Sequence, residues 1–319
     1  EPNPHVTPSP PTPPPRTDGT ANPLALETSP DTVLARALSG RLDSAPTSEP
    51  LIAHAGSEIM LEAPVGQVLP DAGYDPGEDT FTAPPEHGSG VEVVVSPSSD
   101  RLQLLTPFAA WDGNDYEGLP VLVKAQGKFT TDHISMAGPW LKYRGHLENI
   151  SGNLYLGAVN AYDGYEVGYG KNQLTGETQT FPDMAKSYHE AGQRWVLIGD
   201  ETLGEGSSRE HAAMEPRVRH GVVAIARSFA RIHETNLKTQ GMVPLTFADP
   251  ADYDRIGEDD RIAVRNLAAL APEQQVEVEV TTPAGETWTF RTNHTFSDDQ
   301  IEWFKAGSAL NVIRSKTQA

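Results

Sequence analysis

The sequence predicts a mixed α/β domain behind an extended N-terminal segment, on three observations. From about Leu102 onward, short apolar runs alternate with helical stretches. The runs are VLVKAQG, LYLGAVNA, RWVLIGD, GVVAIARSFA and MVPLTFA, and the helical stretches include PDMAKSYHEAG and SREHAAMEP, an alternation that argues for strands interleaved with helices. Near the end, QQVEVEVTTPAGETWTFRT alternates residue by residue around a Pro-Ala-Gly turn, as a β-hairpin does. Before all of this, residues 63–99 are rich in Pro, Gly, Asp and Ser, as in YDPGEDTFTAPPEHGSG, which reads as an extended linker. There is no internal repeat.

Taken in order, residues 1–15 carry Pro at eight of fifteen positions. Proline lacks the donor that helices and sheets need, so residues 1–20 are expected to be a disordered tail in preference to a ligand for a proline-reading domain. A short helix is expected over Asp31–Ser39, capped by Ser29, with Pro30 in its first turn, Gly40 at its stop, and Val33, Leu34, Ala37 and Leu38 on one face. The domain boundary falls near the end of the linker. After the strands and the hairpin, DDQIEWFKAGSALNVI reads as a helix, a glycine break and another short turn.

The chain has 319 residues, above the usual size of one domain. Asp and Glu outnumber Lys and Arg 44 to 24, a net charge of −20. Such a chain repels phosphate backbones and anionic membrane surfaces, so neither nucleic acid nor membrane is expected as a partner. A small anionic substrate would need a local cluster of Arg. With no cysteine, disulfides, thiolate zinc sites, cysteine nucleophiles and iron–sulfur ligation by this chain's own residues are all excluded. No apolar run is long enough to form a membrane-spanning helix. The N-terminus has no basic region followed by an apolar stretch. It begins with Glu1, which reads as a fragment or a processed product.

Three segments concentrate groups able to do chemistry. In IGDETLGEGSSREHAAMEPR, residues 198–217, a strand ends at Gly199-Asp200, a turn follows with Gly204 and Gly206, and a helix is expected from Ser207 or Ser208. That geometry presents free backbone N–H groups and a positive helix end, and Arg209 adds a fork that matches a carboxylate. The same residues also read as a capping box, Ser207 with Glu210, which merely starts a helix. In GKFTTDHISMAGPWLKYRGH, residues 127–146, the polar group Thr130, Thr131, Asp132 and His133 is followed by Ser135 and then Arg144. This density suggests a functional loop. For His133 a structural role is the default, and for Asp132 orienting an Arg is as good a reading as direct chemistry. In ARSFARIHETNLKTQG, residues 226–241, Arg227, Arg231 and His233 give local positive charge. A metal role for His233 and Glu234 is rejected, since neither an HExxH spacing nor a third ligand appears, and packing at a helix start is preferred.

These words, together with TTDHIS, AGPWLK, RGHLENIS, SFARIHETNLK, PLTFADPADY and IEWF, resemble the aconitase family, most closely its mitochondrial-type branch. The resemblance runs from about residue 21 to near the end and includes LEAP and SPSSDRLQLL. It implies a swivelling β/β/α three-layer domain over residues 102–319, an extended linker at 63–101, and a short α/β remnant of the family's third domain at 21–62. Aconitases are hydro-lyases of the tricarboxylic acid cycle that interconvert citrate and isocitrate through cis-aconitate with a [4Fe–4S] cluster. Carried onto this chain, Ser207 resembles the catalytic base, acting as an alkoxide. Asp132 resembles a supporting active-site carboxylate, and Ser208, Arg209 and Arg144 resemble groups that bind substrate carboxylates.

The chain departs from the family's pattern, and Pro-rich sequence around Arg16 stands where the family's Asn-Arg and Gly-Arg-Asn-Asp words precede the third-domain tail. The cluster cysteines and the domains that bear them are absent, and Phe129 stands where the family has a non-ligand cysteine. The resemblance therefore implies a part of an aconitate hydratase, inactive alone and monomeric in its complete form. The alternatives are a small subunit of a two-chain hydro-lyase like the isopropylmalate isomerases, or a non-catalytic binding fragment. The acidic composition favours a bacterial cytoplasm, with the mitochondrial matrix second.

Overall fold

The structure, a computed structural model, describes residues 30–41, 43–45, 48–62, 73, 75, 77–84 and 86–318. The proline-rich tail and the Ser29 cap lie outside the described residues. The chain clusters into two units, Glu1–Glu92 and Val93–Ala319.

In the first unit, helix α1 spans Pro30–Ser39 and two short strands, β1 (Leu51–Ile52) and β2 (Glu58–Ile59), pair antiparallel. Gly40 ends α1 in the left-handed region at φ 68°, the backbone a helix stop uses. On α1 only Ala35 is buried, and Val33, Leu34 and Leu38 are exposed.

In the second unit the elements follow in order: β3 (Tyr116–Lys124), α2 (Thr131–Ile134), α3 (Leu147–Ile150), β4 (Tyr169–Lys171), β5 (Thr178–Thr180), α4 (Phe181–Glu190), β6 (Trp195–Gly199), α5 (His211–Val218), β7 (Gly221–Ala226) and α6 (Arg231–Thr239). They continue with β8 (Val243–Phe247), α7 (Asp252–Arg255), β9 (Arg261–Arg265), β10 (Val276–Thr281), β11 (Thr287–Asn293), α8 (Asp298–Ala306) and α9 (Ala309–Gln318). Seven strands close into a barrel in the order β10-β11-β8-β7-β6-β3-β9. Its β3-β6-β7-β8 side is parallel, in register at Val121↔Val196, Val196↔Val223 and Val223↔Val243. The remaining side is antiparallel.

The strand sequences follow from what covers each face. On the parallel side one face points into the barrel, through Val121, Val196, Ile198, Val223 and Ile225, against Val264, Val278 and Phe290 from the far wall. The other face, through Val123, Leu197, Ala224 and Ala226, packs under Met184 and Tyr188 of α4, Ala212 of α5 and Leu237 of α6. Two covered faces demand near-continuous apolar runs. β10 has only its inner face buried and alternates Val with Glu or Thr. Two β walls and one helical layer result, the mixed α/β architecture with a central sheet that the sequence predicts.

Two elements differ from expectation. LYLGAVNA, residues 154–161, is not a strand. Tyr155 sits at φ 62°, successive turns run through Leu154, Leu156 and Ala158, and one bridge, Ala125↔Asn160, touches the barrel. Leu154, Tyr155 and Ala158 are nonetheless buried, so the run is apolar because it is core, and apolarity alone does not distinguish a strand from a buried turn. At the C-terminus, the expected short turn is the ten-residue α9. Gly307 divides it from α8 at φ 90°, where a Cβ would lie 2.3 Å from the Ala109 carbonyl oxygen.

Candidate active site

Because β3, β6 and β7 run parallel, their C-terminal ends reach the same edge of the barrel, the side on which sites in such sheets form. The three chemistry-bearing words are the loops leaving those ends. Backbone hydrogen bonds join them: Gly204 N–H donates to Phe129 O (2.7 Å), Thr131 N–H to Glu205 O (2.9 Å), and Leu203 N–H to Ser228 O (2.9 Å). Asp200, at the end of β6, accepts from Gly127 N–H (2.8 Å) and from Arg227 Nη1 (2.8 Å). Arg227 also donates to Asp254 and to Pro250 O, so its positive charge is already neutralised inside this clamp.

Arg209 is the centre of the arrangement. Its Nη1 donates to Asp132 Oδ1 (2.6 Å), Ser135 O (2.8 Å) and Thr131 O (3.5 Å). The arginine side chain is 19% exposed and the aspartate 64%, so the pair sits at the lip of the loops. Asp132 orients the guanidinium. Ser207 and Ser208 are exposed, and their hydroxyls make no hydrogen bond among the described residues. The backbone N–H groups of Gly206, Ser207 and Ser208 are equally free among them. Consecutive free N–H groups of this kind form a concavity for an anion.

The expected capping box is absent. α5 begins at His211, its N-cap is Glu210, and no side chain caps it. Gly206, at φ 110°, turns the chain, and the Arg209 side chain reaches back to residues 131–135, so residues 207–210 stay outside the helix. The free donors therefore precede the helix and do not belong to its first turn.

Arg144 is placed differently. Its backbone carbonyl meets His211 Nε2 at 2.9 Å, which ties its segment to the start of α5. Its exposed side chain lines a shallow recess of about 450 Å³ with Ser99, Arg101, Leu102, Leu141, Lys142 and Gly145. No ion pair engages it among the described residues. The structure thus joins Ser207, Ser208, Arg209 and Asp132 at one place, and connects Arg144 to them through the backbone only.

His133 caps locally, its Nδ1 accepting from Thr130 N–H (3.2 Å), and its ring stacks on Phe129. His233 is buried in α6 against Gly204, where an added Cβ would lie 2.1 Å from the imidazole Cγ. Burial pushes its pKa down to about 4. Among the described residues, no group of three His, Cys, Asp or Glu is placed to hold a metal.

Sequence reading passed over two features. One is the Asp200–Arg227 clamp, whose signal is a carboxylate ending a wholly buried strand. The other is Glu215, fully buried on α5, which accepts from the Ser135 hydroxyl at 2.6 Å. Its signal is a carboxylate between apolar positions of a short helix.

Comparison with known proteins places these loops. Residues 119–250 match the family model of the aconitase C-terminal domain. The chain is 54% identical over 301 residues to the mitochondrial aconitate hydratase of Candida albicans and 55% over 300 residues to that of Saccharomyces cerevisiae. It is 57% identical over 296 residues to a probable mitochondrial aconitate hydratase of Caenorhabditis elegans. These alignments take in 94%, 94% and 92% of this chain but 39%, 38% and 38% of the relatives, so the chain spans about two-fifths of their length. Among solved structures, a 3-isopropylmalate dehydratase of Methanocaldococcus jannaschii aligns at 19% identity with a TM-score of 0.42, covering 64% of this chain and 96% of that one.

The relatives named mitochondrial overturn the bacterial cytoplasm expected from the acidic composition. Net charge reports on solubility and partners and carries no address. Residues 119–250 are thus an aconitase C-terminal domain, in a chain similar over 94% of its length to mitochondrial aconitate hydratases.

Proposed function

We propose that this chain is part of an aconitate hydratase and supplies the proton-transfer and carboxylate-holding side of citrate and isocitrate interconversion through cis-aconitate. The observation that carries the reading is the free half of the Arg209 fork. Nη1 is engaged by Asp132, Ser135 and Thr131, while Nε and Nη2 make no bond among the described residues. A carboxylate accepts from two such nitrogens side by side. The N–H groups of Gly206, Ser207 and Ser208 and the Ser208 hydroxyl add donors beside it, and Arg144 brings a second cation on the neighbouring segment.

In this reading Ser207 is the base. As an alkoxide it takes the proton from the carbon next to a substrate carboxylate. The electron pair of that C–H bond becomes the new C=C bond, and the hydroxyl on the adjacent carbon leaves as hydroxide with the electron pair of its C–O bond. Hydration runs the same steps in reverse. Negative charge that develops on the neighbouring carboxylate is stabilised by Arg209 and Arg144, and the alkoxide by the free N–H groups of its own turn. Asp132 supports the reaction by holding Arg209. Within the same reading, residues 21–62 are the tail of a preceding domain, 63–101 a linker and 102–319 the swivelling domain.

The [4Fe–4S] cluster that the family uses does not fit the residues of this chain. There is no cysteine, and no alternative metal-binding group exists among the described residues. No step assigned here runs through it.

The test is a graft of this chain in place of the matching segment of the yeast relative, followed by the ultraviolet absorbance of cis-aconitate. The graft is expected to turn over citrate. Ser207→Ala is expected to lower kcat by about 10³-fold or more while citrate still binds. Near-normal turnover by that variant removes Ser207 from the role of base. The ungrafted chain is expected to form no cis-aconitate.

A further inference from the structure

Glu215 is a carboxyl group in a place where helices put Leu or Met. It has no solvent exposure, it follows Ala212 and Ala213 on the buried side of α5, and Oε2 has no partner among the described residues. Arg219, one turn along the same helix, forms no ion pair with it among the described residues. Its Nη2 donates instead to Glu148 O at 3.1 Å. Among the described residues, the single hydrogen bond to this carboxyl comes from Ser135 Oγ at 2.6 Å. Leaving a buried carboxyl oxygen without a partner is unfavourable, so its presence calls for a reason other than packing.

The reason is visible in what Ser135 holds. Its hydroxyl faces Glu215 and its carbonyl oxygen accepts from Arg209 Nη1 at 2.8 Å. Arg209 lies just before α5 and Glu215 within it. Besides the Arg209 bonds to Asp132 and Thr131, Ser135 therefore joins the segments 131–135 and 209–215 from both its backbone and its side chain. The 131–135 turn is also tied at Thr131, whose N–H donates to Glu205 O, and at Ile134, whose carbonyl accepts from Tyr155 N–H. The hydroxyl bond is the tie that Ser135 itself makes to α5, beside the carbonyl oxygen that Arg209 uses. A guanidinium whose acceptors drift presents its free edge over a range of directions, and a bidentate carboxylate contact tolerates little of that.

We propose that Glu215 is a positioning residue for Arg209, acting through the Ser135 hydroxyl to fix the turn whose carbonyl oxygen holds the guanidinium. The inference rests on the reading of Arg209 as a carboxylate clamp. Burial pushes the Glu215 pKa well above its ordinary value, in keeping with a neutral acceptor. An uncharged amide should then serve as well as the acid, whereas an alkyl side chain of similar volume should not.

The experiment uses the full chain with ¹⁵N-labelled arginine. The Arg209 Nε–H signal, assigned by its loss in Arg209→Lys, is expected to be distinct from the averaged position of mobile arginines. It should stay there in Glu215→Gln and move to the averaged position in both Glu215→Leu and Ser135→Ala. In parallel, affinity for propane-1,2,3-tricarboxylate, a substrate-like anion that cannot be dehydrated, is measured by calorimetry. It should fall about tenfold in Glu215→Leu and in Ser135→Ala, by no more than that in the double variant, and hardly at all in Glu215→Gln. An unmoved Arg209 signal in Ser135→Ala, or equal damage from Gln and Leu at position 215, overturns the proposal. If Glu215→Leu fails to fold, Ser135→Ala decides alone. If the unaltered chain binds no tricarboxylate, the functional reading fails while the Arg209 signal still decides the positioning role.

Discussion

His233 shows how one buried side chain couples the loops to pH. It is 2% exposed, its Nδ1 has no partner among the described residues, and its pKa is pushed down to about 4 by burial. In the unfolded chain a histidine titrates near ~6.5. Between those values the unfolded state binds the extra proton, so stability rises with pH and is lost as pH falls from about 6.5 toward 4. Glu215 works in the opposite sense. Its pKa is raised, so its contribution is full in acid and is lost as pH climbs above the ordinary carboxylate range. Comparing the chain with His233→Gln isolates the first effect. Between pH 7 and pH 5 the unaltered chain should lose about 2 kcal/mol more than the variant in urea titrations. Equal losses would mean that His233 takes up a proton in the fold. The same attention to single atoms separates the arginines. Arg227 is consumed by Asp200 and Asp254, whereas Arg209 keeps Nε and Nη2 free among the described residues.

At the scale of elements, the turn between β6 and α5 carries the site, and its glycines have different reasons. Gly206 turns the chain ahead of the serines. Gly204 sits at φ 82° against the His233 ring, with its own N–H on Phe129 O. Gly204→Ala combines a strained backbone with a 2.1 Å approach to a buried ring. It should lower stability by about 3 kcal/mol or more in urea titrations. A loss below ~1 kcal/mol would show that the ring yields. The helix after this turn starts at His211, not Ser207, because Arg209 is pulled back to the β3 loop. A local pattern, Ser with Glu three residues on, thus lost to a tertiary contact.

For the whole molecule the dominant quantity is a net charge of −20. Self-repulsion of that size is screened by salt, since the Debye length shrinks from ~30 Å at 0.01 M to ~3 Å at 1 M. The melting temperature should therefore climb as sodium chloride is raised over that range, and a flat or falling profile would mean that local ion pairs outweigh the global field. Against such a background, the Arg209 fork at the lip of the loops is the feature proposed to draw a small anion. An even surface distribution of Lys and Arg would not do so.

Much of this was legible in the chain itself. Near-continuous apolar runs marked β3, β6, β7 and β8, because strands covered on both faces leave no position for a polar residue. The alternation of β10 marked a one-sided strand, and Asp132, Ser207, Ser208, Arg209 and Arg144 stood out as chemistry-bearing types packed among turn residues. Other features only the tertiary structure decided. These are the closure of seven strands into a barrel, the buried turn at Leu154–Ala158, the late start of α5, the Asp200–Arg227 clamp and the Ser135–Glu215 bond. The division has a physical cause. Periodicity and residue type encode which surface a segment must bury, whereas these features depend on which distant atoms meet, and Ser135 and Glu215 are eighty positions apart.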